Sequence, residues 1–256
     1  MKKIIASVFI CVLVFCEVFG NNVVELSAAT AKNAEISNEM KLLRESGIPT
    51  SSISNVQMGK ANIYTIKCDT KTEKISVKSV GKHAIAFSVT DGHIKNEISY
   101  NNGELIIDGN KIKVTTEKTL FDGVSRITPY ATYWKGTKSL KPYGKLKASD
   151  YNKFLNSGKQ NIALGKSMDA LTATALSLIL SKVNTYVGIA VDLFNVAVGV
   201  KTVIESINPK TKYLGCKYKT YTHGAYDYKY INRFYANKKC TGKYKKTISY
   251  EHFIVY

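Results

Sequence analysis

Residues 167–200 read SMDALTATALSLILSKVNTYVGIAVDLFNVAVGV, with charge only at Asp169, Lys182 and Asp192. Lysine is dense on both sides. The spacing predicts two helices, Ser167 to Lys182 and Thr185 to Ser206, with Asn184 or Thr185 as the second cap and Asn208-Pro209 as the stop. A single unbroken helix is the alternative. The second run carries Val187, Ile189, Val191, Leu193, Val196, Val198 and Val200, so it is apolar nearly all round. A surface helix would keep one polar stripe. Such a run is therefore wrapped by protein or lies in lipid. Neither helix offers the roughly 20 uninterrupted apolar residues that a bilayer requires. Asp192 at a bilayer centre would cost roughly 3 kcal/mol. The stretch reads as a helical hairpin inside a soluble fold, with release into a membrane as the second reading. Gly188, Ala190, Ala197 and Gly199 permit close helix contact in either setting. In the membrane reading Leu178, Ile179, Val187, Ile189, Leu193 and Phe194 meet lipid.

Outward from that stretch, the N-terminus sets the compartment. Lys2 and Lys3 precede a short apolar run, Ile4 to Phe15, in the layout of a secretory signal. Val18-Phe19-Gly20 and Ala29-Thr30-Ala31 both offer cleavage; the second is the cleaner small–x–small pattern, and 1–31 is read as the signal. Phe15 before Cys16 argues against a lipoprotein. Removal of the signal leaves Cys68, Cys216 and Cys240. In an oxidising exterior an odd count implies one pair, and Cys216 with Cys240 is expected because both lie in one short module.

Charge is uneven. Lys32 to Gly123 carries a net +2, and Val124 to Tyr256 a net +16. A secreted cationic half meets lipid headgroups and cell-wall polymers rather than nucleic acid.

The organisation follows from texture. SNEMKLLRESGIP predicts a short helix, with Ser37 as cap and Gly47-Ile48-Pro49 as its end. From Asn62 to Thr116 apolar residues alternate, punctuated by Asp91-Gly92, Asn102-Gly103 and Asp108-Gly109. Such pairs suit tight hairpins, so five or six antiparallel strands in a meander are expected. SDYNKFLNSG predicts a short helix capped by Ser149 and ended at Gly158. Between these, Tyr130, Tyr133, Trp134 and Tyr143 are interleaved with lysines, which suits a membrane interface. The tail carries ten of the seventeen tyrosines; Tyr226, Tyr228 and Tyr230 share the spacing of one strand face. A three-stranded sheet stapled by Cys216–Cys240 is expected there, with tyrosine on one face and lysine on the other.

The predicted fold is thus α+β: an N-terminal antiparallel β-meander, a central apolar helical hairpin and a small disulfide-stapled C-terminal sheet. The boundaries are a signal over 1–31, a short helix and meander over 32–123, a basic aromatic connector over 124–166, the hairpin over 167–207 and the cationic module over 208–256.

Chemistry is sparse. GKS at Gly165 to Ser167 lacks the first glycine of a phosphate-binding loop, since Gln160 stands at that position. The four histidines, His83, His93, His223 and His252, are scattered without metal-ligand spacing. No catalytic residue, metal or cofactor is expected, and the chain reads as a non-enzyme.

The turn-rich VTDGHIKNEISYNNGELIIDGNKI, followed by the apolar run and then by GCKYKTY and KKCTGKYKK, resembles the large secreted unmodified bacteriocins of the geobacillin type. The resemblance implies killing of related bacteria, with an immunity partner it does not identify. The expected function is a secreted cationic antibacterial protein that binds bacterial membranes and inserts its apolar helical segment. A non-enzymatic module for anionic cell-wall polymers is the alternative.

Overall fold

The computed structural model describes residues 38–39, 41–43, 48, 53–58, 62–68, 71–121, 134–183 and 193–255. The chain divides into two compact units, Met1–Leu42 and Leu43–Tyr256. In the first unit, residues 38–39, 41 and 42 are helical.

Two antiparallel sheets dominate the second unit. The first runs in strict chain order: β1 (Ile53–Met58), β2 (Asn62–Cys68), β3 (Lys71–Val80), β4 (Ala84–Asp91), β5 (Ile94–Asn101), β6 (Glu104–Ile107) and β7 (Asn110–Lys111). Its last two turns follow from the asparagine– and aspartate–glycine pairs. Asn102 and Gly103 have φ of 47° and 85°, and Asp108 and Gly109 have 50° and 78°. Two successive positive φ values are the geometry whose twist matches adjoining strands. One face collects Ile75, Phe87, Val89, Ile98 and Ile107, all buried.

The second sheet is not in chain order. It comprises β8 (Lys113–Phe121), β9 (Trp134–Ser139), β10 (Lys153–Ala163), β11 (Tyr213–His223), β12 (Asp227–Tyr235) and β13 (Tyr244–Val255), arranged β8-β10-β11-β12-β13-β9.

The stretch that opened the sequence analysis forms a 3-10 turn, Met168–Ala170, and two helices, α1 (Ala173–Val183) and α2 (Leu193–Ile207). Helix α1 is pinned over the buried face of the first sheet. Its first N–H groups have no partner within the helix. Each finds one here. Thr172 N donates to Asn96 Oδ1 at 2.7 Å, Ala173 N to Glu73 Oε1 at 2.6 Å, Thr174 N to Glu73 Oε2 at 2.9 Å, and Ala175 N to Thr172 Oγ1 at 3.1 Å. A carboxylate there also complements the positive end of the helix dipole. At the far end Lys182 Nζ donates to Gly103 O at 3.0 Å and lies over the Tyr100 ring. Helix α2 packs on α1 and on β12 and β13. Its Lys201 is buried, donating to Met168 O at 2.9 Å and pairing with Glu205.

These observations correct the expected α+β architecture. The chain is mostly antiparallel β, 51% strand against 20% helix, and among the described residues there is no central apolar hairpin. The two helices have different surroundings. Every residue from Leu171 to Leu180 is buried, so the first helix, not the second, is wrapped on all sides. Helix α2 buries Phe194, Ala197, Val200 and Ile204 on one stripe and exposes Asn195, Thr202 and Ser206. Residues 184–192, including Asp192, Val187 and Ile189, lie outside the described residues.

Three further expectations are corrected. SDYNKFLNSG is not helical; most of it lies in β10, between β8 and β11. The tail strands are not a separate three-stranded sheet but half of a six-stranded one. Cys216 and Cys240 are not joined by a disulfide. The reason is geometric. A Cβ on Gly215 would lie 2.6 Å from Cys240 Sγ, so that sulfur sits against the face of β11 opposite to the Cys216 side chain.

Candidate anion-binding face

Alternation along β11 sets the two faces of the second sheet. Lys217 and Lys219 are exposed, while Cys216, Tyr218 and Thr220 are buried. Cross-strand register then assembles rows perpendicular to the strands. On the exposed side one row is Glu117, Lys159, Lys217, Arg233 and Lys246, each directly opposite the next. A second row is Ser157, Lys219, Ile231 and Ile248. A third is Tyr221, Lys229 and Tyr250.

Directly opposed like charges destabilise a sheet. Among the described residues no carboxylate forms an ion pair with Lys217, Arg233 or Lys246. Part of the repulsion is offset by rings. Lys217 Nζ lies 5.5 Å from the Tyr235 ring centre, Arg233 Cζ 5.2 Å from Tyr244, Lys229 Nζ 5.2 Å from Tyr221 and Lys238 Nζ 3.7 Å from Tyr213. Burial is the main reason that the Lys229 pKa is lowered, and the Lys246 charge pushes it further down. Arg233 Nε has no hydrogen-bond partner.

The end of this face near Tyr250 is covered by the chain between β9 and β10. Tyr151 is buried against Tyr250 at 5.0 Å, Lys229 Nζ donates to Ala148 O at 2.8 Å, and Tyr143 stacks on His252 at 3.7 Å. His252 Nδ1 lies 2.8 Å from Asp227 Oδ1. That pair orients an imidazole, but among the described residues no hydroxyl or thiol is hydrogen-bonded to it. No described cluster of three His, Cys, Asp or Glu is placed to hold a metal.

The opposite face of the sheet is buried and partly polar. Asn156, Thr220, Tyr230 and Ser249 form one row of it, and Tyr218 and Asn232 lie in the next. Tyr230 donates to Glu251 at 2.8 Å.

The residues expected to meet a membrane do not converge. Leu178, Ile179 and Phe194 are buried in the helical layer. Leu193 opens α2, and Trp134 opens β9 in register with Val255. Tyr130 and Tyr133 lie outside the described residues. Tyr226 is exposed in the turn before β12, Tyr228 is half-buried and Tyr230 is buried. Tyrosine is not confined to one face, since Tyr235 and Tyr250 share the lysine side while Tyr218 and Tyr230 face inward. The basic row was missed because Lys159, Lys217, Arg233 and Lys246 come from four strands whose pairing the local pattern does not state.

No protein-family model, curated protein or solved structure matches the chain. Fold and face together define a class: a two-sheet antiparallel β protein with a helical layer and one cationic, tyrosine-lined sheet face.

Proposed function

We propose that the protein is a secreted, non-enzymatic module that binds anionic polymers of the bacterial cell surface through the exposed face of its second sheet. The observation that carries the reading is the cross-strand row holding Lys217, Arg233 and Lys246, like charges opposed without a carboxylate among them. An anionic ligand laid on that row relieves the repulsion. The +16 excess of the segment from Val124 supplies long-range attraction and a strong dependence on salt.

The membrane-active antibacterial reading is second, and the killing of related bacteria implied by the bacteriocin resemblance belongs with it. The apolar α1, buried from Ala173 to Leu180, favours it. Against it, release of α1 breaks the contacts of Glu73 and Asn96, and among the described residues no helix is long and apolar enough to cross a membrane. Two assays on the full chain separate the readings. Sedimentation with anionic wall polymer is expected to show binding that weakens as salt rises. Anionic liposomes at the same protein concentration are expected to retain their dye. Dye release would replace the binding module with the membrane-active protein.

A further inference from the structure

The row has a definite geometry, and that geometry selects among anions. We propose that Lys217, Arg233 and Lys246 form a linear subsite for a polyol-phosphate chain, a polymer of phosphodiesters without bases, laid across strands β11 to β13. This rests on the reading of the exposed face as a polyanion-binding surface, and it names the ligand class and its direction.

Neighbouring strands lie about 4.8 Å apart, so the three charges in one row span about 10 Å along a straight line. A chain carrying one charge per repeat matches such a line better than an isolated anion does. Arg233 sits inside the row, and a guanidinium fork holds two oxygens of one phosphate at once. The adjoining row supplies Ile231 and Ile248, both half-buried, as a shallow apolar strip for the carbon skeleton between phosphates.

Two observations turn the choice away from other polyanions. Nucleic acid binds single-stranded sites by stacking bases on open aromatic faces. Here cations of the chain itself lie over Tyr213, Tyr221, Tyr235 and Tyr244. A lipid surface would need exposed apolar groups that enter the interface. On this face the exposed large rings are Tyr143, Tyr213 and Tyr244; Tyr143 is stacked on His252, and cations of the chain lie over the other two.

The test uses full-length protein and synthetic glycerol-phosphate oligomers of one, two, four and eight repeats, titrated calorimetrically. Affinity is expected to rise at least tenfold from one repeat to four and then to flatten. The pair Lys217→Glu and Lys246→Glu is expected to lower affinity for the eight-repeat chain at least tenfold. The pair Lys74→Glu and Lys82→Glu, exposed on β3 and in the β3–β4 turn and equal in charge change, is expected to alter it less than twofold. Lys217→Gln with Lys246→Gln serves where the reversal impairs folding, and its expected loss is at least threefold. Three results overturn the subsite: affinity independent of length, equal losses in the two pairs, or equal affinity for a single-stranded oligonucleotide of matched charge. Binding to neither oligomers nor wall polymer would sink the surface reading itself. Undiminished polymer binding by the row variants would remove the row alone.

Discussion

Glu73 sits fully buried on β3, and both its oxygens accept N–H groups from a helix one hundred residues away in sequence. Burial is the main reason that its carboxyl pKa is raised; hydrogen bonds from Thr174 and Ala173 pull it partly back, and Asp91 adds a further upward push. Replacing Glu73 by alanine leaves two buried donors without acceptors, so a loss of about 2 kcal/mol in denaturant unfolding is expected. The pH dependence has a defined sign. A group whose folded pKa lies above its unfolded value binds its proton more tightly in the fold. Its contribution is therefore complete below about pH 4.3, the unperturbed glutamate value, and is lost as pH rises through the raised one. Relative to Glu73→Gln, the wild type is expected to lose stability on going from acid to neutral pH. A constant difference in urea midpoint between the two proteins would contradict this. At Cys216, burial is the main reason that the thiol pKa is raised, and the Cys240 thiol adds to it. Cys216 is accordingly expected to resist thiol reagents in the folded protein and to react once it is unfolded. Rapid native labelling read by peptide mass would show that the site opens.

At the scale of elements, β10 shows how a strand can carry helix-like punctuation. Ser149 and Gly158 sit where a helix cap and stop are expected. Gly158 is instead a point of close approach within the sheet. A Cβ there would lie 2.4 Å from Tyr218 Oη and 2.6 Å from its Cζ, so the hydroxyl end of the ring lies against the glycine. Gly158→Ala is expected to cost about 2 kcal/mol through overpacking. Combined with Tyr218→Ala, the total should fall short of the sum of the single losses by at least about 1 kcal/mol. Additive losses would mean that ring and glycine do not touch in solution. The same element explains what could be read in advance. Asn102-Gly103 and Asp108-Gly109 announce hairpins because the required positive φ values are local properties. The strand identity of β10 is not local. It depends on pairing with β8 and β11, the second of which joins Lys159 to Lys217 across 58 residues. The Tyr and Lys alternation in the tail marks strands, but only register shows which cations share a row. The expected Cys216–Cys240 bond rested on nearness in sequence, which does not fix the face from which each sulfur approaches.

For the whole molecule, the charge imbalance legible in composition becomes a division between sheets. Acidic residues of the first sheet hold structural partners: Glu97 pairs with Lys78 and Lys95, and Glu104 with Lys111. Hydrogen bonding to Lys78, then to Lys95, is the main reason that the Glu97 pKa is lowered. On the second sheet Lys217, Arg233 and Lys246 stand side by side, and among the described residues no carboxylate forms an ion pair with them. The central claim is that a polyanion is met by that row. Lysine acetylation of the full chain under limiting reagent, with and without anionic wall polymer, tests it most directly. Lys217 and Lys246 are expected to be protected at least fivefold by the polymer, while Lys74 and Lys82 on the first sheet react as before. Equal protection of both sets, or protection of the first-sheet lysines alone while polymer is bound, would contradict the account.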